Sequence, residues 1–494
     1  MSPAILLGVV GAYFALLFAV AWKTSRHADN ESFFIGNRSS HWMLVAFGMV
    51  GTSLSGVTFI SVPGAVGFTG FTYFQIILGH FVGYAVVAFV LLPIYYRTRV
   101  TSIYHYLGER LGPTAHRTGA GFFILSRTLG ATARLYLVVA ILQAALLDGY
   151  GVPFWLTSLV IIALILAYTY EGGVKTIVWT DTLQTFCMLG GLVVCAWFVL
   201  GSLGISVGES LDRMREAGLS RMFEREAQHA HFWLKDFVAG AFIAIAMTGL
   251  DQEMMQKNIS VRTLAGSQKN MMTLATIMLG VVLLFLYLGG LLYLYAPAVG
   301  VTATGDRIFP EIVLGHLPAA IQVVFIVALI SALFPSADGA LTALTSSFCI
   351  DILGLEARGV EEARAKAIRH RVHLSFAAVF MLLVMVFHWA DNPSMIGVIL
   401  KLAAYTYGPL LGLFAFGILT RRVVRDRWVP LVAVAAPLLC FLLETFQRAI
   451  FGDYQLGLEL LVVNGALTFA GLWAVSTFSL GYARKSGVNS RARR

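Results

Sequence analysis

Charge is what this sequence has least of. Only 12% of its 494 residues are Asp, Glu, Lys or Arg, against about 25% in a soluble domain, while 58% are hydrophobic. So few charges cannot clothe a water-facing surface, which excludes an ordinary soluble globule. Cysteine is scarce as well. Cys187, Cys195, Cys349 and Cys440 all lie inside apolar runs, with neither metal-ligand spacing nor the framework of a disulfide-stapled secreted domain, and read as packing residues. No paired-histidine metal motif and no nucleophile elbow occurs among the apolar runs, which argues against a membrane-embedded enzyme. The absence of repeated pore loops argues against a channel. The net charge of +9 does not point to nucleic acid, because the basic residues sit in short loops rather than on one folded face.

What the sequence has in abundance is long apolar runs. Stretches of about 20 residues, enough for a helix to cross a hydrocarbon layer of roughly 30 Å, recur along the whole chain. They predict an all-α integral membrane protein of about thirteen helices, near 3–22, 41–66, 72–96, 119–147, 152–170, 176–202, 232–257, 268–296, 315–350, 373–390, 394–419, 428–446 and 455–482. The first run lacks a basic leader and a small-residue cleavage site, so it reads as a retained helix and not as a signal peptide. Loops after helices 1, 3, 5, 7, 9 and 11, with the C-terminal tail, hold roughly 25 Lys and Arg and the other loops roughly 7, which places the N-terminus outside and the C-terminus in the cytoplasm. The lipid bilayer is therefore the first partner implied. The loop from Gly204 to Lys235 mixes charges of both signs, and Ser210 to Gln228 has the pattern of an amphipathic surface helix.

A spanning helix must satisfy its own backbone, so sequence that interrupts one marks a site. Gly51-Thr52-Ser53-Leu54-Ser55-Gly56 in the second run sets three hydroxyl residues between two glycines. Such a stretch suits local unwinding that exposes carbonyls near the midplane, and equally a small-residue packing face. In the ninth run, Pro335 has no amide and leaves the Ser331 carbonyl without its helical donor; Ser336 and Asp338 add oxygens on the same stripe. Carbonyl, hydroxyl and carboxylate oxygens are the ligands a hard cation such as sodium takes. Asp181 and Asp338 are acids inside apolar runs, a placement that costs several kcal/mol and needs a partner, an ion or a nearby helix end.

Several of these stretches resemble the sodium:solute symporter family. The most specific is Glu171-Gly172-Gly173-Val174-Lys175-Thr176-Ile177-Val178-Trp179-Thr180-Asp181-Thr182-Leu183-Gln184, similar to that family's Gly-Gly, Trp-Thr-Asp and Gln at the start of a spanning helix. Asp251-Gln252-Glu253-Met254-Met255-Gln256-Lys257 is similar to the close of another, and Asp351-Ile352 and Tyr407-Gly408-Pro409-Leu410-Leu411-Gly412 match more weakly. The resemblance implies a LeuT-like fold of five helices repeated in inverted orientation, about 41–202 and 232–419, each repeat opening on a discontinuous helix. An extra helix at 3–22 precedes the repeats and two at 428–482 follow. It implies sodium as coupling ion, one or two per cycle. The shared sodium site falls on Gly51, Leu54, Ala332, Pro335 and Ser336, where Pro335 departs from the family's hydroxyl residue. A second site, present in some members, falls on Asp181, Ser336, Asp338 and Gly339. Asp338 equally suits a proton, which leaves proton coupling open.

The expected activity is sodium-coupled symport of a small polar organic solute, a sugar, amino acid or carboxylate, into the cell by alternating access; a transporter-like sensor of the same fold is the alternative. The resemblance places the solute near Ser53, Ser55 and Thr58 on one side and Ala244, Met247 and Thr248 on the other, with Gln75 as a further amide. Arg127 and Arg134 stand seven residues apart on nearly one helix face and suit a carboxylate. Pairing of one arginine with a membrane carboxylate is the rival reading.

Overall fold

The computed structural model describes residues 3–24, 30–355, 358–390 and 395–477. Apart from short β contacts, chiefly Val423–Val424 with Ser476–Thr477, these residues form helices and their connections. Ten helices are long and apolar enough to cross a membrane, one further pair is bent by 65° at a break, and two shorter apolar helices complete the set. In chain order these are α1 (Pro3–Thr24), α2 (Trp42–Thr69), α3 (Tyr73–Thr98), α4 (Pro113–Tyr150), α5 (Phe154–Tyr170), α6 (Gly173–Leu203) and the bent α7 (Trp233–Gly249 with Gln252–Ile259). They continue with α8 (Leu264–Tyr295), α9 (Ala319–Ser347), α10 (Glu362–Ala390), α11 (Met395–Leu419), α12 (Val429–Thr445) and α13 (Leu460–Ala474). Each predicted run corresponds to one of them. The largest boundary shift is at α10, which begins at Glu362 and not near 373 because a charged, helix-favouring stretch extends the apolar span. The predicted amphipathic helix at 210–228 is shorter than expected. It runs Val207–Glu216, opens on Ser206 accepting from the Glu209 amide, and stops before Gly218, whose φ of +73° ends the helical geometry. Of the last predicted run, residues 478–482 lie outside the described residues.

A helix that is apolar on all sides belongs inside the bundle, and α2 and α9 are such helices. Of their central stretches, 78% and 72% are buried, against 22% for α12. In α9 every residue from Ala328 to Ser347 is buried. It packs against α5, α6, α2 and α4, while α2 also meets α8 and α11. The two segments flagged for polar interruptions are therefore central and adjacent.

The Gly-Gly of the longest family-like stretch has a structural purpose at its second glycine. α5 and α6 are two helices that follow one another with no loop between them, the chain kinking at Gly173 with φ +52° and ψ −147°. A β-carbon there would also run into the backbone of Phe33. Gly173→Ala is therefore expected to destabilise the protein by at least about 1–3 kcal/mol through the strained φ alone, read as a lower midpoint of thermal unfolding in detergent.

Candidate ion and solute sites

α2 is broken where its sequence loses regularity. Ser55 adopts φ +45° and ψ 163° inside the helix, a left-handed φ costly for any residue but glycine, which interrupts the helical hydrogen-bond ladder around it. The break faces α9. A β-carbon at Gly56 would stand 3.6 Å from the Leu333 Cα, and one at Gly51 would stand 3.6 Å from Pro335 Cγ and run into Thr185 Oγ1 of α6. α9 itself runs unbroken through Pro335, so its contribution is the Ser331 carbonyl left without an amide donor. The structure thus brings Gly51 and Pro335 to one junction of α2, α6 and α9. The Ser336 hydroxyl donates to the Leu333 carbonyl at 2.9 Å. Thr185 Oγ1 is buried at this junction without a hydrogen-bond partner.

On the same side of α6 as this junction, Asp181 meets a cation. Its Oδ2 accepts from Lys257 Nζ at 2.7 Å and from Thr52 Oγ1 at 3.2 Å, and Lys257 Nζ lies 2.7 Å from Thr52 Oγ1. Lys257 is also 3.6 Å from Glu253 Oε1, and Glu253 pairs with Arg127 of α4. Arg127 Nη1 lies 3.8 Å from Asp251 Oδ2, which accepts from the Tyr407 hydroxyl at 2.5 Å. Asp251 also caps the second half of α7 by accepting from the Met254 amide. All six of these ionisable side chains are buried, so each charge depends on its neighbours for stabilisation. Asp338 is fully buried as well; Tyr168 donates to its Oδ2 at 2.8 Å, and the Gly339 amide to its Oδ1 at 2.5 Å.

Beside the α2 break lies a cavity of about 100 Å³. Ser53, Ser55, Thr58, Arg127, Arg134, Ala244, Met247 and Thr248 all line it, as do Tyr73, His80 and Tyr84. Only Gln75, among the residues expected at the solute, is elsewhere. Its amide donates to the His231 carbonyl and Asp236 and accepts from the Glu224 amide, because the 204–232 segment folds over the end of α3 and takes up every polar atom Gln75 offers. Arg127 and Arg134 divide the two readings offered for them. Arg127 is paired with Glu253, whereas Arg134 has no hydrogen bond or ion pair among the described residues and faces the cavity. Both ring nitrogens of His80 are buried there without a hydrogen-bond partner.

A second cavity, of about 360 Å³, lies on the side of the 204–232 segment and shares Tyr73, Ile396 and Leu400 with the first. These three side chains form the partition between them. Lys401 lies on its wall and pairs with Glu444 at 2.7 Å. His231, also on this wall, has its pKa raised above the ordinary 6.5, first by its hydrogen bond to Asp236 and then by the charges of Asp236, Glu459 and Glu224. A raised folded-state pKa makes the contribution full below about 6.5 and removes it as pH rises through the raised value. The difference in thermal stability between the protein and His231→Gln is therefore expected to be present at pH 6 and to vanish at alkaline pH; a difference independent of pH would rule out the ion pair.

Glu253, Lys257, Asp251 and Tyr407 carry the charge network, and none was singled out as a site residue from sequence. The signal was available, since a charge inside an apolar run is expensive whichever residue bears it. The family model for the sodium:solute symporter family matches residues 33–426. The chain belongs to that family. A sodium/sialic acid symporter of Proteus mirabilis is 23% identical over 453 residues, 85% of each chain. The sodium-dependent multivitamin transporter of rabbit is 29% identical over 235 residues, where this chain spans 46% of itself and 36% of that protein. A sodium-coupled sialic acid symporter solved in a substrate-bound outward-open state superposes with a TM-score of 0.80 at 19% identity, covering 95% of this chain and 96% of that one. Mhp1, a nucleobase-cation-symport-1 transporter, gives 0.57 at 16% identity, covering 90% and 93%. The fold is thus that of LeuT-like transporters. As a member of this sodium:solute symporter family, the chain is a multi-pass membrane transporter coupled to sodium and not an enzyme.

Proposed function

We propose that this symporter carries a small solute bearing a carboxylate, held by Arg134, into the cell across the plasma membrane. One observation carries the reading: of the two arginines on one helix face that line the cavity beside the broken helix, Arg127 is paired with Glu253 while Arg134 has no protein carboxylate among the described residues. A guanidinium left unpaired in so dry a place is poorly solvated, and a planar carboxylate satisfies it in bidentate fashion. Ser53, Thr58 and Thr248 supply hydroxyls for the rest of the solute. Relatives named as sialic acid symporters and as monocarboxylate transporters support an anionic substrate. The 204–232 segment and the larger cavity are assigned to the extracellular side, and the C-terminus to the cytoplasm, by the distribution of Lys and Arg.

Sodium is assigned to the junction of α2 and α9, with the carbonyls of Gly51, Leu54 and Ala332, the Ser336 hydroxyl and the free Ser331 carbonyl as ligands. Thr185, whose hydroxyl is buried there without a partner, supplies the oxygen that Pro335 lacks. Transport then proceeds by rocking of one helix bundle against the other about this centre, where the broken first helices of the repeats 41–202 and 232–419 meet. Sodium and solute are coupled because both favour the same closed arrangement.

Uptake into proteoliposomes with and without an inward sodium gradient tests the reading, using a panel of small carboxylates beside their amides and methyl esters. Transport of the acids alone is expected; equal transport of the uncharged analogues would remove Arg134 as the anchor. Thr185→Val, which keeps the shape and deletes the oxygen, is expected to raise the sodium concentration for half-maximal uptake about tenfold, equivalent to about 1.4 kcal/mol. An unchanged value would take Thr185 out of the ion's shell.

A further inference from the structure

Lys257 occupies an unusual place for a lysine. Its ammonium is buried, 2.7 Å from Asp181 Oδ2, 2.7 Å from Thr52 Oγ1 and 3.6 Å from Glu253 Oε1. On its far side is the backbone of α9: a β-carbon at Gly339 would stand 3.1 Å from Nζ and run into the Glu253 carboxylate. One ammonium therefore lies between Asp181 and Gly339, in a shell of carboxylate and hydroxyl oxygens that a small monovalent cation would also choose. Asp181 and Gly339 are the two ends of the position to which family resemblance assigns a second sodium.

We infer that the Lys257 ammonium is a tethered cation filling this second position, so that the protein binds and couples to a single sodium ion. The inference rests on the sodium-coupled reading and adds a stoichiometry to it. Three features support the assignment. Lys257 is on the short helix that follows the 65° bend in α7, and Asp251 caps the start of that helix, which fixes the direction in which the side chain enters the bundle. Gly339 has no side chain to offer an ion, and any side chain there would displace Glu253. The ammonium also already holds the Asp181 oxygen at 2.7 Å, so an additional sodium at that oxygen would stand directly beside another positive charge in a medium where such repulsion is weakly screened. A lysine does the electrostatic work of an ion there but cannot leave with the solute.

Binding of radiolabelled sodium to the purified full chain in lipid nanodiscs, measured by scintillation proximity and calibrated to sites per chain, tests this without knowledge of the solute. One site is expected in the wild-type protein and in Lys257→Arg. Two are expected in Lys257→Gln, because removal of the ammonium vacates the position beside Asp181. Two sites in the wild type would overturn the inference, as would a single site in a Lys257→Gln protein that remains monodisperse. Should that variant not fold, the wild-type count alone decides. Absence of any sodium site in the wild type would instead defeat the sodium assignment on which the inference stands.

Discussion

Asp181→Asn is expected to destabilise the protein by about 3–5 kcal/mol, the usual result of removing one partner from a buried ion pair. The loss comes less from the missing attraction than from the Lys257 ammonium left in a dry interior without its carboxylate. Thr52 offers it one oxygen at 2.7 Å, and Glu253, already paired with Arg127, approaches only to 3.6 Å. Asp181→Asn combined with Lys257→Gln is then expected to regain most of the stability, because two neutral amide side chains can hydrogen-bond where one stranded charge cannot. Thermal unfolding of the single and double variants in a double-mutant cycle gives the coupling directly. Additive losses would show that the two side chains do not act on each other.

Arg134→Gln has the second large expected effect, on the solute. Loss of a charged hydrogen-bonding partner costs about 1.5–3 kcal/mol, so the KM for a carboxylate solute should rise roughly 10- to 150-fold, while the sodium concentration for half-maximal uptake changes little. Arg127→Gln should behave otherwise. Its partner Glu253 is buried and would be left with Lys257 at 3.6 Å, so folded protein should be lost before solute affinity is affected. The pair thus separates a residue that waits for the substrate from one that holds the helices. If both variants altered KM alone and by similar amounts, the distinction drawn between the two arginines would be wrong.

The resemblance of the two arginines in sequence shows why part of the site was unreadable there. Both sit on one face of one apolar helix, and the heptad spacing gives their shared direction, but spacing within α4 says nothing about where Glu253 arrives from α7. The same holds for Gln75. An amide near the end of α3 looks available in sequence, and only the folded course of the 204–232 segment uses it up. Asp181, in contrast, announces itself by being an acid in an apolar run, and its need for a partner was clear. Which cation answers that need was not, because Lys257 lies 76 residues away and the approach depends on the bend at the end of α7.

By itself, then, the sequence determined the membrane as solvent, the apolar nature and approximate positions of the helices, the segments where regular backbone could fail, and the cost that every buried charge must offset. These are local properties: hydrocarbon thickness sets helix length, and glycine, proline and hydroxyl residues set where regular backbone fails. Tertiary structure alone decided which charge meets which, that Arg127 is neutralised while Arg134 is not, that Thr185 closes on Gly51, and that Lys257 reaches Asp181. Those pairings depend on distances of a few ångströms between helices remote in the chain, where Coulomb attraction and hydrogen bonding are strong enough in a dry interior to assign each side chain a single role.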